Sequence, residues 1–325
     1  MFFPRFFVPL KRVMKYKAIK NERKSHVFDL VLQKKVFGND EKEMMKNNPK
    51  TINIKGRLVS LDEPQVMGIL NITPDSFFAD SRCQEEEEIL LRIRQIRSEG
   101  ASIIDLGAYS SRPGAADISL QEELRRLLPA VRLVRQEWPE AIISVDTFRS
   151  EVARQAVAMG ADIVNDISGG DMDGEMFATI AELGVPYVLM HMQGTPQDGF
   201  KSHYDTDVMC DVFRSLGERV EEMHKMGIAD IIIDPGFGFG KTLQENYTMM
   251  SRLKEFHLLE CPLLVGISRK SMIYRVLETT PEHSLNGTTV LNTIALMNGA
   301  NILRVHDVKE AVEAIKIYRQ CSISD

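Results

Sequence analysis

The chain has 325 residues, 44% hydrophobic and 26% charged, which is enough to bury a large core; one α/β barrel of about 250 residues plus an appendage fits the length. The net charge of −6 is uneven: residues 1–50 hold 13 Lys and Arg against 5 Asp and Glu, a balance of +8, and the other 275 hold 27 against 41, a balance of −14. The acidic body excludes a general nucleic-acid binder, and no apolar run approaches the roughly 18 residues of a membrane span.

The basic head begins "MFFPRFFVPLKRVMKYKAIKNERK". Its apolar run is short, is broken by Pro4, Arg5 and Pro9, and precedes its charges, the reverse of a secretory signal. Met44 and Met45 stand before "KNNPKTINIKGRLVS", which reads as the ordinary start of a folded body. Residues 1–50 are therefore expected to be a flexible extension, dispensable up to residue 44, and residues 51–325 the catalytic domain. Cys83, Cys210, Cys261 and Cys321 form no Cys-x-x-Cys pair and read as reduced thiols of a cytoplasmic protein.

From residue 65 the pattern alternates. "QVMGIL" is a solid apolar run, followed by the helical "EEEEILLRIRQIRSEG", with acids at its start and Gly100 at its end. The alternation continues through "SIIDLG" and "LQEELRRLLPAVRLVRQE", "AIISVDT" and "SEVARQAVAMG", "DIVNDIS" and "EMFATIAELG". It closes with "YVLMHM" and "DVMCDVFRSLGERVEEMHKMG", "IIIDPG" and "NYTMMSRLKEF", "PLLVGIS" and "LNGTTVLNTIALMNG", and "ILRVHDV" and "KEAVEAIKIYRQ". Eight strand–helix units with strands apolar on both faces predict a (β/α)8 TIM barrel. A doubly wound open sheet is the competing fold; its glycine-rich turn after the first strand is absent.

Every predicted strand carries a polar residue at or near its C-terminal end: Asn71, Asp105, Asp146, Asn165 with Asp166, His191, Asp234, Ser268 with Lys270, and Arg304 with His306. A single Asp in such a place is often only a helix cap. A polar residue on all eight strands predicts one pocket at the catalytic face of a barrel, suited to a polar heterocycle and an anion. "DPGFGFGKT" at 234–242 resembles a phosphate loop, but the first glycine of Gly-x4-Gly-Lys-[ST] falls on Pro235. Its glycines are expected instead to let a tight loop pass close to a ligand, with Asp234 accepting from a ring N–H and a Phe stacking. "SRPGA" (111–115) and "SRKS" (268–271) read as anion sites, the latter through backbone N–H groups, Ser271 and two cations; a solvated basic pair is the alternative for "SRKS".

In order, "MGILNITPDSF", "SVDT", "NDIS", "DPGFGFGKT", "GISRKSMI" and "RVHDV" resemble the dihydropteroate synthase family over about residues 51–320. The resemblance implies condensation of 6-hydroxymethyl-7,8-dihydropterin pyrophosphate with p-aminobenzoate, releasing pyrophosphate with Mg2+ present, in folate biosynthesis, and inhibition by sulfonamides. It implies that Asn71 ligates Mg2+. Asp146, Asn165, Asp234 and Lys270 would bind the pterin edge, and Met190 and Phe239 its ring. Arg112, Arg304 and His306 would hold the pyrophosphate, while Ser111, Pro113, Phe239 and Ser271 would bind p-aminobenzoate. Asp234, Lys270 and Arg112 would be the catalytic groups, and Asp105 a support. A homodimer through outer helices is also implied.

Two loops depart from the family pattern. After "NITPDSF" the usual Ser-Asp-Gly-Gly is Phe78-Ala79-Asp80-Ser81, and in "GAYSSRPG" Ala108 and Tyr109 replace a glycine and an acid, with Ser111 in place of Thr. The readings that compete are a methyltransferase-type pterin barrel, a non-catalytic pterin-binding partner subunit, and a Schiff-base aldolase built on Lys270.

Overall fold

The computed structural model describes residues 51–72, 82–110, 117–195, 204 and 207–322. A short antiparallel hairpin opens the described chain: β1 (Thr51–Ile54) and β2 (Arg57–Ser60), paired Thr51 to Ser60 through Ile54 to Arg57 around a Lys55-Gly56 turn. Eight parallel strands follow: β3 (Gln65–Asn71), β4 (Ile103–Gly107), β5 (Ile142–Asp146), β6 (Ile163–Asp166), β7 (Tyr187–Met190), β8 (Ile231–Asp234), β9 (Leu264–Val265) and β10 (Ile302–Val305). They pair in the order β8-β7-β6-β5-β4-β3-β10-β9. A single parallel bridge from Ile233 to Leu263, with Ile233 N donating to Pro262 O at 2.9 Å, draws β8 and β9 together and nearly closes the ring. The expected TIM barrel is present.

The connecting helices are α1 (Arg82–Glu99), α2 (Leu120–Glu137), α3 (Ser150–Met159), α4 (Met176–Leu183), α5 (Val208–Lys225), α6 (Leu243–Ser251), α7 (Ser271–Tyr274), α8 (Leu285–Met297) and α9 (Val308–Ser322). Their boundaries follow local chemistry. The Ser119 side chain caps α2 at Glu122 N, Asp207 caps α5 at Met209 N, and Thr242 with Glu245 forms a reciprocal capping box on α6.

The two-residue period of the strands sorts side chains into layers. Met67, Ile103, Ile142, Ile163, Val188, Ile232, Leu264 and Ile302, one per strand, pack into an apolar floor inside the barrel. The hairpin plugs this floor from below with Ile52, Ile54 and Leu61, and is tied down by Asn53 N to Asp230 Oδ1 and by Lys55 Nζ to Asp162 Oδ1. Alternate residues such as Ile104, Leu106, Ile143, Val145, Leu189 and Ile233 face outward into the core shared with the helices. Two residues above the floor lie Asp105, Ser144, Asn165, Met190, Asp234, Gly266 and Arg304. The same alternation that builds the core thus raises a polar layer at the C-terminal end of the barrel.

Candidate active site

Arg304 is the hub of that layer. Its Nε donates to Asp105 Oδ2 at 2.7 Å and its Nη2 to Asp146 Oδ2 at 2.6 Å. Asn165 Nδ2 reaches Asp105 Oδ2 at 3.2 Å. Four strands, β4, β5, β6 and β10, are therefore joined through one buried charge network. Asp105 is fully buried, yet its Oδ1, like Ser144 Oγ, has no partner among the described residues. Burial pushes Asp146 up to about 7, against the pull of Arg304 and helped by Asp105. The two flanking carboxylates hold Arg304 firmly protonated.

Across the mouth stands Asp234, buried at the end of β8, with Oδ1 accepting from Gly236 N at 2.8 Å. Burial raises its pKa while Lys270 lowers it. Lys270 donates to Phe237 O at 2.7 Å, and its ammonium lies 4.4 Å from the centroid of the Phe239 ring, a cation–π contact. Burial brings Lys270 down to about 8, opposed by Asp234. Beside these groups an apolar shelf runs from Phe148, Ile167 and Met190 to Tyr109, Met172, Met192 and Phe239. Of the residues expected to bind a pterin, all six, Asp146, Asn165, Met190, Asp234, Phe239 and Lys270, line this one mouth.

The glycines of "GFGFGK" serve a different neighbour from the one expected. Gly236, Gly238 and Gly240 all have positive φ, between 70° and 83°. A Cβ on Gly236 would lie 1.8 Å from His191 O, and one on Gly240 2.4 Å from Gln193 O. The loop passes close to the backbone leaving β7, and glycine is required there for that reason. Side chains of the site come close at two of them: a Cβ on Gly238 would lie 3.3 Å from Lys270 Cδ, and one on Gly236 3.3 Å from Met190 Cγ. Lys241, which sequence reasoning left without a role, is half-buried at the centre of the turn. Its Nζ lies 2.8 Å from Gly236 O, 3.0 Å from Phe239 O, 3.3 Å from His191 O and 3.1 Å from His191 Nδ1.

"SRKS" is also corrected. Arg269, at φ +56°, turns away from the mouth. It grips Asp307 with two hydrogen bonds of 2.9 and 2.8 Å and donates to Pro281 O and Glu282 O. One cation of the pair, Lys270, faces the site. Ser271 opens α7 behind it. Ser268 Oγ accepts from His306 N at 3.2 Å and lies at the same distance from His306 Nδ1. Burial, with Arg304 nearby, pushes His306 down to about 4 and keeps it neutral.

Asp166 is a structural group. Its carboxylate accepts from Ser168 N and Oγ, Gly170 N and the Tyr187 hydroxyl, all within 3.0 Å. Asn71 ends β3 exposed and opposite Gly107. Ser111, Arg112, Pro113 and Asp80 lie outside the described residues, as does the basic head.

Tyr109, the residue that replaces an acid, packs edge-on against Phe148 at 4.9 Å, with the Arg149 guanidinium 5.6 Å from its ring centroid. Arg149 in turn pairs with fully buried Glu123 at 2.5 Å and donates to Ile118 O at 2.7 Å. Glu123 also accepts from Thr147 Oγ1 at 2.6 Å. Arg149 therefore ties the exit of β4 to the approach to α2. Sequence reasoning missed this clamp, because an Arg three residues after a strand carries no distinctive spacing.

A sequence profile of the family described as "Pterin binding enzyme" matches residues 67–306, from the barrel floor to the end of the last strand. The chain belongs to this family. It is 44% identical over 265 residues to the dihydropteroate synthase of Escherichia coli K12, across 81% of this chain and 93% of that one. It resembles the crystal structure of Yersinia pestis dihydropteroate synthase in complex with a sulfonamide drug, with a TM-score of 0.77 and 41% identity over 84% of this chain and 99% of that chain. The Xanthomonas albilineans dihydropteroate synthase with 4-aminobenzoic acid aligns with a TM-score of 0.77 and 37% identity over 84% and 98% of the two chains.

Proposed function

We infer that this chain is a transferase of folate biosynthesis, a dihydropteroate synthase, joining 6-hydroxymethyl-7,8-dihydropterin pyrophosphate to p-aminobenzoate. The observation that carries the reading is the convergence of Asp146, Asn165, Asp234 and Lys270 beside the Met190–Phe239 shelf at one barrel mouth. A flat ring fits between apolar walls, and its N–H and amino groups meet carboxylate and amide acceptors. Asp105 Oδ1, buried and without a partner among the described residues, lies in the same polar layer.

The chemistry needs no protein nucleophile. The C–O bond between the pterin methylene and pyrophosphate breaks, and the bond's electron pair leaves with pyrophosphate. The arylamine nitrogen forms the new C–N bond and gives up one proton to solvent or phosphate. Asp234 and Asp146 favour positive charge developing on the pterin, as preorganised groups aimed at the transition state. Arg304, His306 and Arg112 are assigned to the leaving pyrophosphate, and Ser111, Pro113, Phe239 and Ser271 to p-aminobenzoate. Arg304 is engaged by Asp105 and Asp146, so its phosphate role requires it to share its charge.

Asn71 is assigned to Mg2+. Its amide oxygen is a hard donor, and among the described residues no group of three His, Cys, Asp or Glu forms a ready-made metal cage. That donor set suits an ion carried mainly by substrate phosphates and water. When bound, Mg2+ neutralises charge on the pyrophosphate.

We further propose a homodimer. Val290 and Met297 on α8 and Ile317 on α9 are 51%, 69% and 68% exposed, and these two helices pack side by side. Cytoplasmic location is proposed from the resemblance and the free thiols of Cys210, Cys261 and Cys321; among the described residues no helix is long and apolar enough to cross a membrane. Sulfonamides are proposed to compete with p-aminobenzoate. The test is pyrophosphate release from the pterin substrate, with Mg2+, in the presence and absence of p-aminobenzoate. Release that depends on the arylamine is expected; binding of pterin with no release would favour a partner subunit instead.

A further inference from the structure

Lys241 stands outside the assigned machinery, yet its ammonium is enclosed by acceptors of the protein. Four acceptors surround its ammonium within 3.3 Å: the carbonyls of Gly236, Phe239 and His191, and His191 Nδ1. Burial pushes Lys241 down to about 7, opposed by Asp234, but an ammonium has three N–H groups and no lone pair, so a shell of acceptors is matched to the charged form. Burial keeps His191 neutral, which leaves Nδ1 available to accept. Gly236 and Gly240 bring the two backbones so close that no side chain fits between them.

The rest of the turn is satisfied around this point. Gly238 N donates to Asn246 Oδ1, Asn246 Nδ2 donates to Lys241 O and Thr242 O, and the Tyr204 hydroxyl donates to Gly240 O. Lys270 takes the intervening carbonyl of Phe237. Two lysines therefore read carbonyls of one loop, Lys241 those of Gly236 and Phe239 and Lys270 that of Phe237 between them. The carbonyls of Gly236 and Phe239 point at the same ammonium, and this convergence fixes the turn that carries Phe239. Without a cation there, three carbonyl dipoles would face one another across a buried gap.

We infer that Lys241 is a positioning residue whose ammonium acts as a tethered monovalent cation, holding the 235–240 turn against the β7 exit so that Phe239 and Asp234 are set for the pterin. This rests on the pterin-binding reading of the same mouth. The lysine touches no substrate. It acts through the placement of Phe239, which it binds by its carbonyl, and of Asp234, whose carboxylate is fixed by the N–H of Gly236, the residue whose carbonyl Lys241 holds.

The test uses the full chain and titrates 6-hydroxymethylpterin by calorimetry, with steady-state KM values for both substrates alongside. Lys241→Met keeps the methylene chain and removes the charge. It is expected to weaken pterin binding by about ten-fold or more, the scale of lost hydrogen bonds to a charged group, while KM for p-aminobenzoate changes by less than about two-fold. Lys241→Ala is expected to show the same loss and to regain most of the affinity when ammonium or methylammonium is added, with no gain from a neutral alcohol of similar size. Rescue by a small cation is a response that lost packing alone would not give. Unchanged pterin affinity in both variants, or loss without cation rescue in Lys241→Ala, overturns the inference. Failure of both variants to fold would make the lysine a part of the barrel itself and would equally overturn it. If wild-type protein binds no pterin, the functional reading fails first, and the two failures are told apart by that control.

Discussion

Asp234 and Lys270 show how single residues acquire their chemistry from position. Asp234 is buried and Lys270 half-buried at the mouth; each has its pKa moved by desolvation toward the neutral form, and each pulls the other back toward charge. Replacing either by Ala removes a group the pterin is read by and leaves the strand order untouched. Asp234→Ala and Lys270→Ala are each expected to lower kcat/KM by at least about 100-fold, with circular dichroism and thermal midpoint close to wild type. Turnover near the wild-type rate in either variant would contradict the pocket assignment. Asp146 and His306 make opposite predictions about pH. The folded-state pKa of Asp146 is raised to about 7, so its contribution to stability is full below the ordinary carboxylate value and is lost as pH rises through 7. His306 is depressed to about 4, so its contribution is full above the ordinary imidazole value and is lost as pH falls toward 4. In thermal melts of the unliganded protein, Asp146→Asn should flatten the decline between about pH 4 and 7, and His306→Gln should lessen the loss on acidification over the same range. Slopes identical to wild type in both variants would show that neither group is perturbed in this way.

At the scale of elements, much of the site was readable from strand endings, and what was missed has a common cause. Asp234, Asn165 and Arg304 could be found because each lies two residues beyond an apolar floor residue, and the strand period does the rest. The same period distinguishes Asn165, two after Ile163 and facing in, from Asp166, which faces away to Tyr187. Arg269 and Lys270 cannot be separated that way. They sit in a turn, and only the positive φ of Arg269 sends the two cations in different directions. Lys241 was invisible because its partners are backbone carbonyls, which carry no residue identity. The Arg149 clamp was invisible because its partners lie 26 and 31 residues away, at Glu123 and Ile118. It is nevertheless energetically exposed to test. Arg149→Met leaves the Glu123 carboxylate buried and unpaired, and should destabilise the fold by about 3–5 kcal/mol in urea unfolding. The double variant Arg149→Met with Glu123→Gln should recover part of that loss. A change below about 1 kcal/mol in the single variant would mean that Glu123 is relieved by water or protonation.

For the whole molecule, the eight-fold alternation fixed the barrel, while the hairpin beneath it escaped notice. β1 and β2 are only four residues each, too short for a periodic signal, yet Ile52, Ile54 and Leu61 are among the well-buried apolar residues and seal the floor opposite the site. Ile52→Ala should cost about 2–5 kcal/mol, the range for emptying a buried aliphatic position. Deleting residues 1–44 should leave both folding and turnover intact, because the floor is sealed by residues that follow. Loss of folding on that deletion would overturn the reading of the head as dispensable. The two faces of the barrel thus divide the work: an apolar plug at the N-terminal ends of the strands and charged chemistry at the C-terminal ends.

The most direct measurement is pyrophosphate release from purified protein supplied with 6-hydroxymethyl-7,8-dihydropterin pyrophosphate and Mg2+, with and without p-aminobenzoate. Release that rises with p-aminobenzoate, is matched by formation of 7,8-dihydropteroate and is lost in Asp234→Ala is the predicted result. Tight binding of the pterin with no release in either condition would contradict it, and would leave a pterin-binding barrel that does not join the two substrates.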